Sequence, residues 1–501
     1  MDDRLAAELI RRLFELEPRS HGVQRRLYLA LRHAVLRVEL PGGAALPASR
    51  MLSAELGIGR STVVRVYEQL LAEGYLRSAT GSGTFVSDSL RMRRPSAGRS
   101  TASMHARTGL STRGSRIAAQ AGSSPFQAGA FVPGVPDVSH FPFAIWRRLV
   151  ARQIRHERRQ LAHYGFGGYG PLRQALAEYL RVTRMMSVRP QQILILNGAH
   201  QAIDLCARML CDEGDSVWME DPGYWGARSV LDACGLSIDP VAVDEQGMDA
   251  SAALEPSAPR LIFVSPSSQY PTGVVMSLER RLHLLERARA AGAWIIEDDY
   301  DNELRYHPHA VGSLFGLDPG QKVIYVRTFS KVMFPGLRLA YLVVPERLVD
   351  PFARGNAELY REGRMIEQAA MAEFIDAGHF TRHLRRMRGL YQERRDRLSE
   401  AIESRLGGLV VTHGGQAGLH LLYRFTRELD DAALADRTLR EGIVFRPLTL
   451  YYRDPARGAP GMNLGFAAVP VERMAPAVDV LAGAIEAELQ RAPRHRTRSG
   501  G

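Results

Sequence analysis

Lysine is almost missing from this chain. Of 501 residues only Lys322 and Lys331 are lysine, and arginine fills the remaining 63 of the 65 basic positions. Positive charge is not in short supply, so a retained lysine points to a need for an amine rather than for a cation. Cysteine is also scarce. Cys206, Cys211 and Cys234 form no CxxC pair and are odd in number, which argues against a disulfide framework and for reduced thiols. No apolar run reaches the ~18 residues of a membrane helix. The opening "MDDRLAAELIRR" is acidic and then amphipathic, unlike a signal peptide. A soluble, cytoplasmic protein with no membrane partner is therefore expected.

What is present supports a large core. Hydrophobic residues make up 45% and charged residues 24%, and the length suggests two or three domains. The net charge of +11 is unevenly spread. Residues 1–88 carry 12 arginines against 10 acids, while residues 89–124 carry seven arginines and residues 490–501 four, with no acid in either. The stretch 125–489 is close to neutral. Residues 89–124, rich in Ser, Gly, Ala and Arg, read as a basic flexible linker, and 490–501 reads as a basic disordered tail. Basic segments beside a DNA-binding module can add phosphate contacts.

The module before the linker, 1–88, is mostly helical. "RRLYLALRHAVLRVEL" (25–40) has helical apolar spacing and stops at "PGG". "LPASRMLSAELGIGRSTVVRVYEQLLAEGYL" gives two short helices around "GIG", with Ser49 as a candidate N-cap. Val63, Val66, Leu70 and Leu71 form the buried stripe of the second helix. "RSATGSGTFV" follows as a strand, a Gly-rich turn and a strand. Together these describe a winged helix-turn-helix. In that architecture the N-terminal end of the second helix enters the major groove, which puts Arg60, Ser61, Thr62 and Arg65 at the bases, Arg50 at a phosphate, and the wing tip Gly81-Ser82-Gly83-Thr84 at the backbone or minor groove. The partner expected is double-stranded operator DNA. Over nearly its whole length this module resembles the winged-helix domain of the GntR regulator family. Gly59 departs from the serine usual in that family before the recognition-helix arginine.

From about residue 125 to 489 short apolar runs alternate with helical segments. Candidate strands are 192–197, 215–220, 260–265, 293–298, 322–328 and 339–344, implying an α/β domain with a largely parallel sheet and ligands at the strands' carboxyl ends. The polar clusters lie there. "NGAHQAIDL" opens a helix whose first amides (Ala199, His200, Gln201) could bind an anion, and "EDPGYWGAR" sets Tyr224 on a tight turn. "IIEDDYDNELRY" gathers Glu297, Asp298, Asp299 and Asp301 at the end of an apolar strand, where carboxylates need a cation, a metal or donors. "RTFSKVMFPGLRLAYLV" then brings Thr328, Ser330, Lys331 and Arg338. Pyridoxal phosphate suits this set. It needs an amine for a Schiff base, a carboxylate beside the pyridine nitrogen, and donors for its phosphate. A metal at the acidic cluster is the second reading, with no histidine near in sequence to complete it.

The body resembles a fold-type I, class I aminotransferase with a large and a small subdomain. The fusion of winged helix, linker and body resembles the MocR/GabR subfamily over almost the full length, on "YGFGGYGPLRQAL", "NGAHQAIDL", "EDPGYWGAR", "PSSQYPTG", "WIIEDDYDNELRY", "YVRTFSKVMFPGLRLAYLV", "HFTRHLRRMRGLYQERRD" and "AGLHLLY". The resemblance implies that Lys331 carries the Schiff base, Asp298 pairs with the pyridine nitrogen, Tyr300 bonds the ring hydroxyl and Tyr224 stacks on the ring. It also implies that Ala199, His200, Ser330 and Arg338 hold the phosphate, and that two chains form a head-to-tail homodimer. There are departures. Tyr270, with Gln269 beside it, replaces the asparagine of the enzymes' NPTG, and the "YGFGGYG" loop is one residue short of the common form. Asn463 stands where aminotransferases place the arginine that grips a substrate carboxylate, leaving Arg446 and Arg453 as the nearby cations. The leading expectation is a transcriptional regulator that senses pyridoxal phosphate, an amine or an amino acid and does not act as an enzyme. The alternatives are a working aminotransferase with an accessory DNA module, and a DNA-binding protein whose body has lost the cofactor.

Overall fold

The computed structural model describes residues 3–79, 83–88, 109–119, 128–156, 165–251, 258–306, 312–318 and 322–491. The chain divides into two units, Met1–Ala106 and Arg107–Gly501, so the division falls inside the segment read as linker.

In the first unit, α1 (Asp3–Leu16), α2 (Val23–Leu36), α3 (Ser49–Leu56) and α4 (Arg60–Ala72) precede a hairpin of β1 (Leu76–Ala79) and β2 (Gly83–Val86). Apolar residues at helical spacing meet in one core, with Ile10, Leu31, Leu52, Val63, Val66 and Leu70 all fully buried. Gly57, at φ 63, ends α3 in the left-handed region and allows the short turn into α4. The predicted N-cap is corrected: Ser49 is the first residue of α3, and its hydroxyl accepts a hydrogen bond from Arg60 Nε at 3.4 Å.

The second unit begins with α5 (Thr112–Ala119), which packs on the later helix α9, with Arg116 facing Asp232 of that helix (3.7 Å) and Arg113 facing Glu213 of the turn before the later strand β4 (3.1 Å). The reading of 89–124 as flexible linker is therefore corrected in part, because these arginines find acids on the body. Next come α6 (Phe143–His156) and α7 (Gly170–Arg184). The sheet strands follow: β3 (Ile193–Leu196), β4 (Ser216–Asp221), β5 (Ser237–Asp244), β6 (Gly247–Met248), β7 (Leu261–Val264), β8 (Trp294–Asp298), β9 (Val323–Thr328) and β10 (Ala340–Val343). Between and after them lie α8 (Ala199–Leu210), α9 (Trp225–Ala233), α10 (Leu278–Ala291), α11 (Leu314–Leu317), α12 (Val349–Tyr360) and α13 (Met365–Asp376).

The sheet order is β3-β10-β9-β8-β7-β4-β5-β6, with β9, β8, β7, β4 and β5 parallel and β10 antiparallel to both its neighbours. Successive side chains of a strand face opposite sides. Ile193 and Ile195 accordingly join the core under α6, α7, α10 and α13, while Leu194 and Leu196 join the core under α8, α9 and α12. Both faces are covered, so these strands read as unbroken apolar runs. A smaller subdomain follows: α14 (His379–Leu406), β11 (Val410–His413), β12 (His420–Phe425), α15 (Asp431–Leu439), β13 (Arg446–Pro447), β14 (Gly461–Gly465) and α16 (Val471–Arg491). Its antiparallel sheet has the order β11-β12-β14-β13. Because α16 runs through Arg491, the reading of 490–501 as a disordered tail is corrected for its first two residues, and residues 492–501 lie outside those described. Among the described residues no helix is long and apolar enough to cross a membrane.

Candidate functional site

In the first unit, Arg50, Arg60, Ser61, Arg65 and Gly83 are exposed and Thr62 is half-buried, all opposite or beside the packed stripe of α4. Arg50 and Arg65 make no hydrogen bond or ion pair among the described residues, so both guanidinium groups are available to a phosphate or a base edge. Gly81 and Ser82 of the expected wing tip lie outside the described residues.

In the second unit, the carboxyl ends of β8 and β9 and the N-terminus of α8 open onto a cavity of about 360 Å³. Lys331, Asp298, Tyr300, Tyr224, Ala199, Thr328 and Arg338 all line it. The half-buried Lys331 donates from Nζ to the Gly134 carbonyl at 2.9 Å. Burial pulls its pKa below the ordinary lysine value, against the opposing pull of Asp301 and Asp298. Gly134 was not foreseen from the sequence, since it acts through its backbone. A Cβ there would lie 2.7 Å from Nζ, so only glycine leaves the amine its place.

Asp298 ends β8 with 5% exposure, and its Oδ1 has no hydrogen-bond partner. Burial, then the charges of Asp299 and Asp301, lift its pKa to about 7. The rest of the acidic cluster is met by protein donors: the Leu314 and Phe315 amides on Glu297, the Ser268 hydroxyl on Asp301, and two arginines on Asp299. Burial pushes Asp299 up, but Arg184 and Arg327, each 3.0 Å from its Oδ2, hold it below its ordinary value. Arg327 also pairs with Glu303. Among the described residues no group of three or more His, Cys, Asp or Glu side chains is arranged to hold a metal ion.

Opposite Asp298, α8 begins at Ala199 after Gly198, whose φ of 121 favours glycine. A Cβ on Gly198 would come 2.8 Å from the Arg338 guanidinium, so Arg338 lies directly against the helix N-terminus. The first-turn amides and this arginine together make an anion site. The Thr328 hydroxyl donates to Ser330 Oγ (3.1 Å) and accepts from Ser330 N (3.2 Å), which places Ser330 one hydrogen bond behind the lining. His200 is likewise behind it, with Nε2 hydrogen-bonded to the Tyr224 hydroxyl at 2.9 Å.

Similarity to known proteins bears on what this geometry serves. Residues 23–86 match the model for bacterial regulatory proteins of the gntR family, and residues 137–481 match aminotransferase class I and II. The chain is 40% identical, over 92% of its own length and 93% of the relative's, to the probable rhizopine catabolism regulatory protein MocR of Rhizobium meliloti. It is 32% identical to the HTH-type transcriptional regulator TauR of Rhodobacter capsulatus, covering 89% and 92% of the two chains. This chain belongs to the MocR-type regulators of the GntR family. Its body has the fold of a solved aminotransferase, LysN of Thermus thermophilus. That match has a TM-score of 0.68 and 28% identity and covers 75% of this chain and 97% of that one. The LysN structure is complexed with N-(5'-phosphopyridoxyl)-L-leucine. As a MocR-type regulator the protein is a transcriptional regulator with a DNA-binding module and an aminotransferase-like body.

Within that body the departures from the enzymes have a structural form. Gln269 turns away from the cavity and donates from Nε2 to the Pro222 and Tyr270 carbonyls, each at 2.8 Å. Tyr270 fills the space instead, edge-on to Tyr224, Tyr300, His420 and Tyr451. Asn463 is fully buried behind it. Its Nδ2 donates to the Tyr451 hydroxyl at 3.2 Å, and that hydroxyl meets the Tyr270 hydroxyl at 3.0 Å. A neutral chain of amide and phenols thus runs from Asn463 to the cavity wall. Of the two remaining cations, Arg446 lines the cavity and Arg453 does not.

Proposed function

We propose that this regulator holds pyridoxal phosphate in the Lys331 cavity and that the cofactor, or an amine captured there, sets the DNA affinity of a cytoplasmic head-to-tail homodimer. The observation that carries the reading is the convergence on one cavity of an amine, an orphaned buried carboxylate oxygen and an anion site: Lys331, Asp298 Oδ1 and the α8 terminus with Arg338. Bound there, pyridoxal phosphate supplies an electrophilic carbonyl to a lysine or to a ligand amine. Lys331 would be the point of covalent attachment, and its depressed pKa favours the neutral nucleophile. Asp298 would accept a hydrogen bond from the protonated pyridine nitrogen at its free oxygen and keep that proton on the ring, and Tyr300 would donate to the ring hydroxyl. Tyr224 would cover one ring face, held by its bond to His200. The amides of Ala199 and His200, with Ser330 and Arg338, would receive the phosphate.

DNA recognition would rest on Arg60, Ser61, Thr62 and Arg65 at the bases, with Arg50 and Gly83 at the backbone. The test is a gel shift on the gene's own upstream DNA, with and without pyridoxal phosphate and a panel of amines, for the wild type and Lys331→Ala. The variant should lose covalent cofactor attachment and any cofactor-dependent shift while retaining basal DNA binding. A borohydride-fixed cofactor in Lys331→Ala would refute the lysine assignment. The cavity also contains the amine, the buried carboxylate and the anion site that a transaminase uses, so turnover with amino donor and keto acceptor at ~1–1000 s⁻¹ would establish the enzymatic reading instead.

A further inference from the structure

Arg446 stands between two cavities. With Trp225 it lines the Lys331 cavity, and the same two residues line an adjoining cavity of about 310 Å³. The arginines of that second cavity differ in their ties. Arg228 donates to the Leu450 and Tyr451 carbonyls at 3.1 and 3.3 Å, and Arg453 is exposed, with its backbone N–H bound to Asp221 at 2.7 Å. The Arg446 guanidinium makes no hydrogen bond or ion pair among the described residues, although the residue is only half exposed. In the sheet register Arg446 of β13 faces Asn463 of β14. The cation therefore sits one strand away from a neutral, fully buried side chain. A guanidinium on a partly dry wall, with five donors and no acceptor, has a strong affinity for a planar anion that can accept two of them.

We infer that Arg446 anchors a carboxylate on the effector, whose amine end lies toward Lys331, and that it does so in place of the residue at 463. This rests on the cofactor reading above. The neutral chain Asn463–Tyr451–Tyr270 offers donors and acceptors but no charge, so Arg446 decides where the acid group goes. Because Arg446 also borders the second cavity, the spacing between amine and carboxylate is set by this arginine rather than by β14.

The test titrates the full-length protein with L-alanine, β-alanine, γ-aminobutyrate and δ-aminovalerate, and with the matching amino alcohols that lack the acid. Binding is followed by tryptophan fluorescence, to which Trp225 contributes, in protein stripped of cofactor and in protein given pyridoxal phosphate. In the wild type at least one amino acid should bind more tightly than its amino alcohol. In Arg446→Gln that advantage should fall by about tenfold to a hundredfold, as for loss of a charged hydrogen bond, with amino-alcohol binding unchanged. Arg446→Lys should restore part of it, and unchanged melting temperatures show that both variants fold. The assignment is overturned if no acid group adds affinity in the wild type, or if the advantage survives in Arg446→Gln. Cofactor uptake is read separately by absorbance, so failure of the cofactor reading shows there while the stripped-protein titration still reports on Arg446.

Discussion

Three buried carboxyl groups, Asp298 and Asp301 on the wall of the Lys331 cavity and Asp299 between them in sequence, do not ionise alike. Asp299 has two arginines at 3.0 Å and stays charged. Burial and the Asp299 charge raise Asp301 to about 7, and Asp298 reaches a similar value with Lys331 opposing. A carboxyl harder to ionise in the folded chain than in the unfolded one favours folding while protonated. That contribution is fully present below the unfolded pKa and is lost as pH rises through about 7. The cofactor-free protein should therefore lose stability as pH rises from roughly 4 to 7 and level off above that. Asp298→Asn, neutral throughout, should remove part of that loss and melt higher than the wild type above pH 7, by the equivalent of a few kcal/mol. The same substitution should weaken cofactor retention, since an amide cannot act as counter-charge to a protonated pyridine. Parallel pH–melting curves for the two proteins would contradict the Asp298 assignment. At this scale the sequence was legible where the chemistry limits the residue type: only lysine supplies the amine and only a carboxylate the counter-charge. Gly134, Tyr451 and the position of Arg446 were not, because each acts through strands and loops brought together from distant parts of the chain.

Elements were legible in proportion to how strongly burial shapes their sequence. The six strands buried on both faces appear as apolar runs, and all six lie within a residue or two of where those runs place them. β5 was missed because it lies near the sheet edge, carries Pro240 and is mostly half-buried or exposed. The short strands of the small subdomain were also unforeseen, β13 being two residues long. Helix ends depend on single atoms, which is why Ser49 was misplaced. The start of α4 offers a direct test of such an end. Gly59 is its N-cap at φ −62, ψ 133, a conformation open to serine, and an added Cβ would meet only Ser61 Oγ and Thr62 Oγ1 at 3.7 Å. Gly59→Ser should stabilise the module by a few tenths of a kcal/mol through its capping hydroxyl. It should also tighten operator binding if that hydroxyl reaches a phosphate. Thermal melts and gel shifts measure the two effects independently, and a lowered melting temperature would show that the cap geometry is wrong.

The charge of the whole molecule is a property of its segments rather than of its body. The near-neutral body contributes little to attraction toward DNA, whereas the first 124 residues combine an exposed arginine face with seven further arginines. These seven are not equivalent. Arg113 and Arg116 lie on α5 against α9, facing Glu213 and Asp232, so their charge is directed at the body. Exposed pairs of this kind contribute little to stability, but the packing of α5 keeps both side chains at that surface. Arg91, Arg93, Arg94, Arg99 and Arg107 precede the helix and have no acid among their sequence neighbours from 89 to 124. Each that contacts a phosphate displaces counterions and steepens the salt dependence of binding by about 0.9 in the logarithmic slope. Replacing these five by glutamine should flatten the slope of operator affinity against salt, without changing cofactor uptake. Replacing Arg113 and Arg116 should leave the slope as it is. If the five substitutions leave the slope unchanged, DNA attraction resides wholly in the winged helix. If the α5 pair alone flattens it, the contacts of α5 with the body give way when DNA binds.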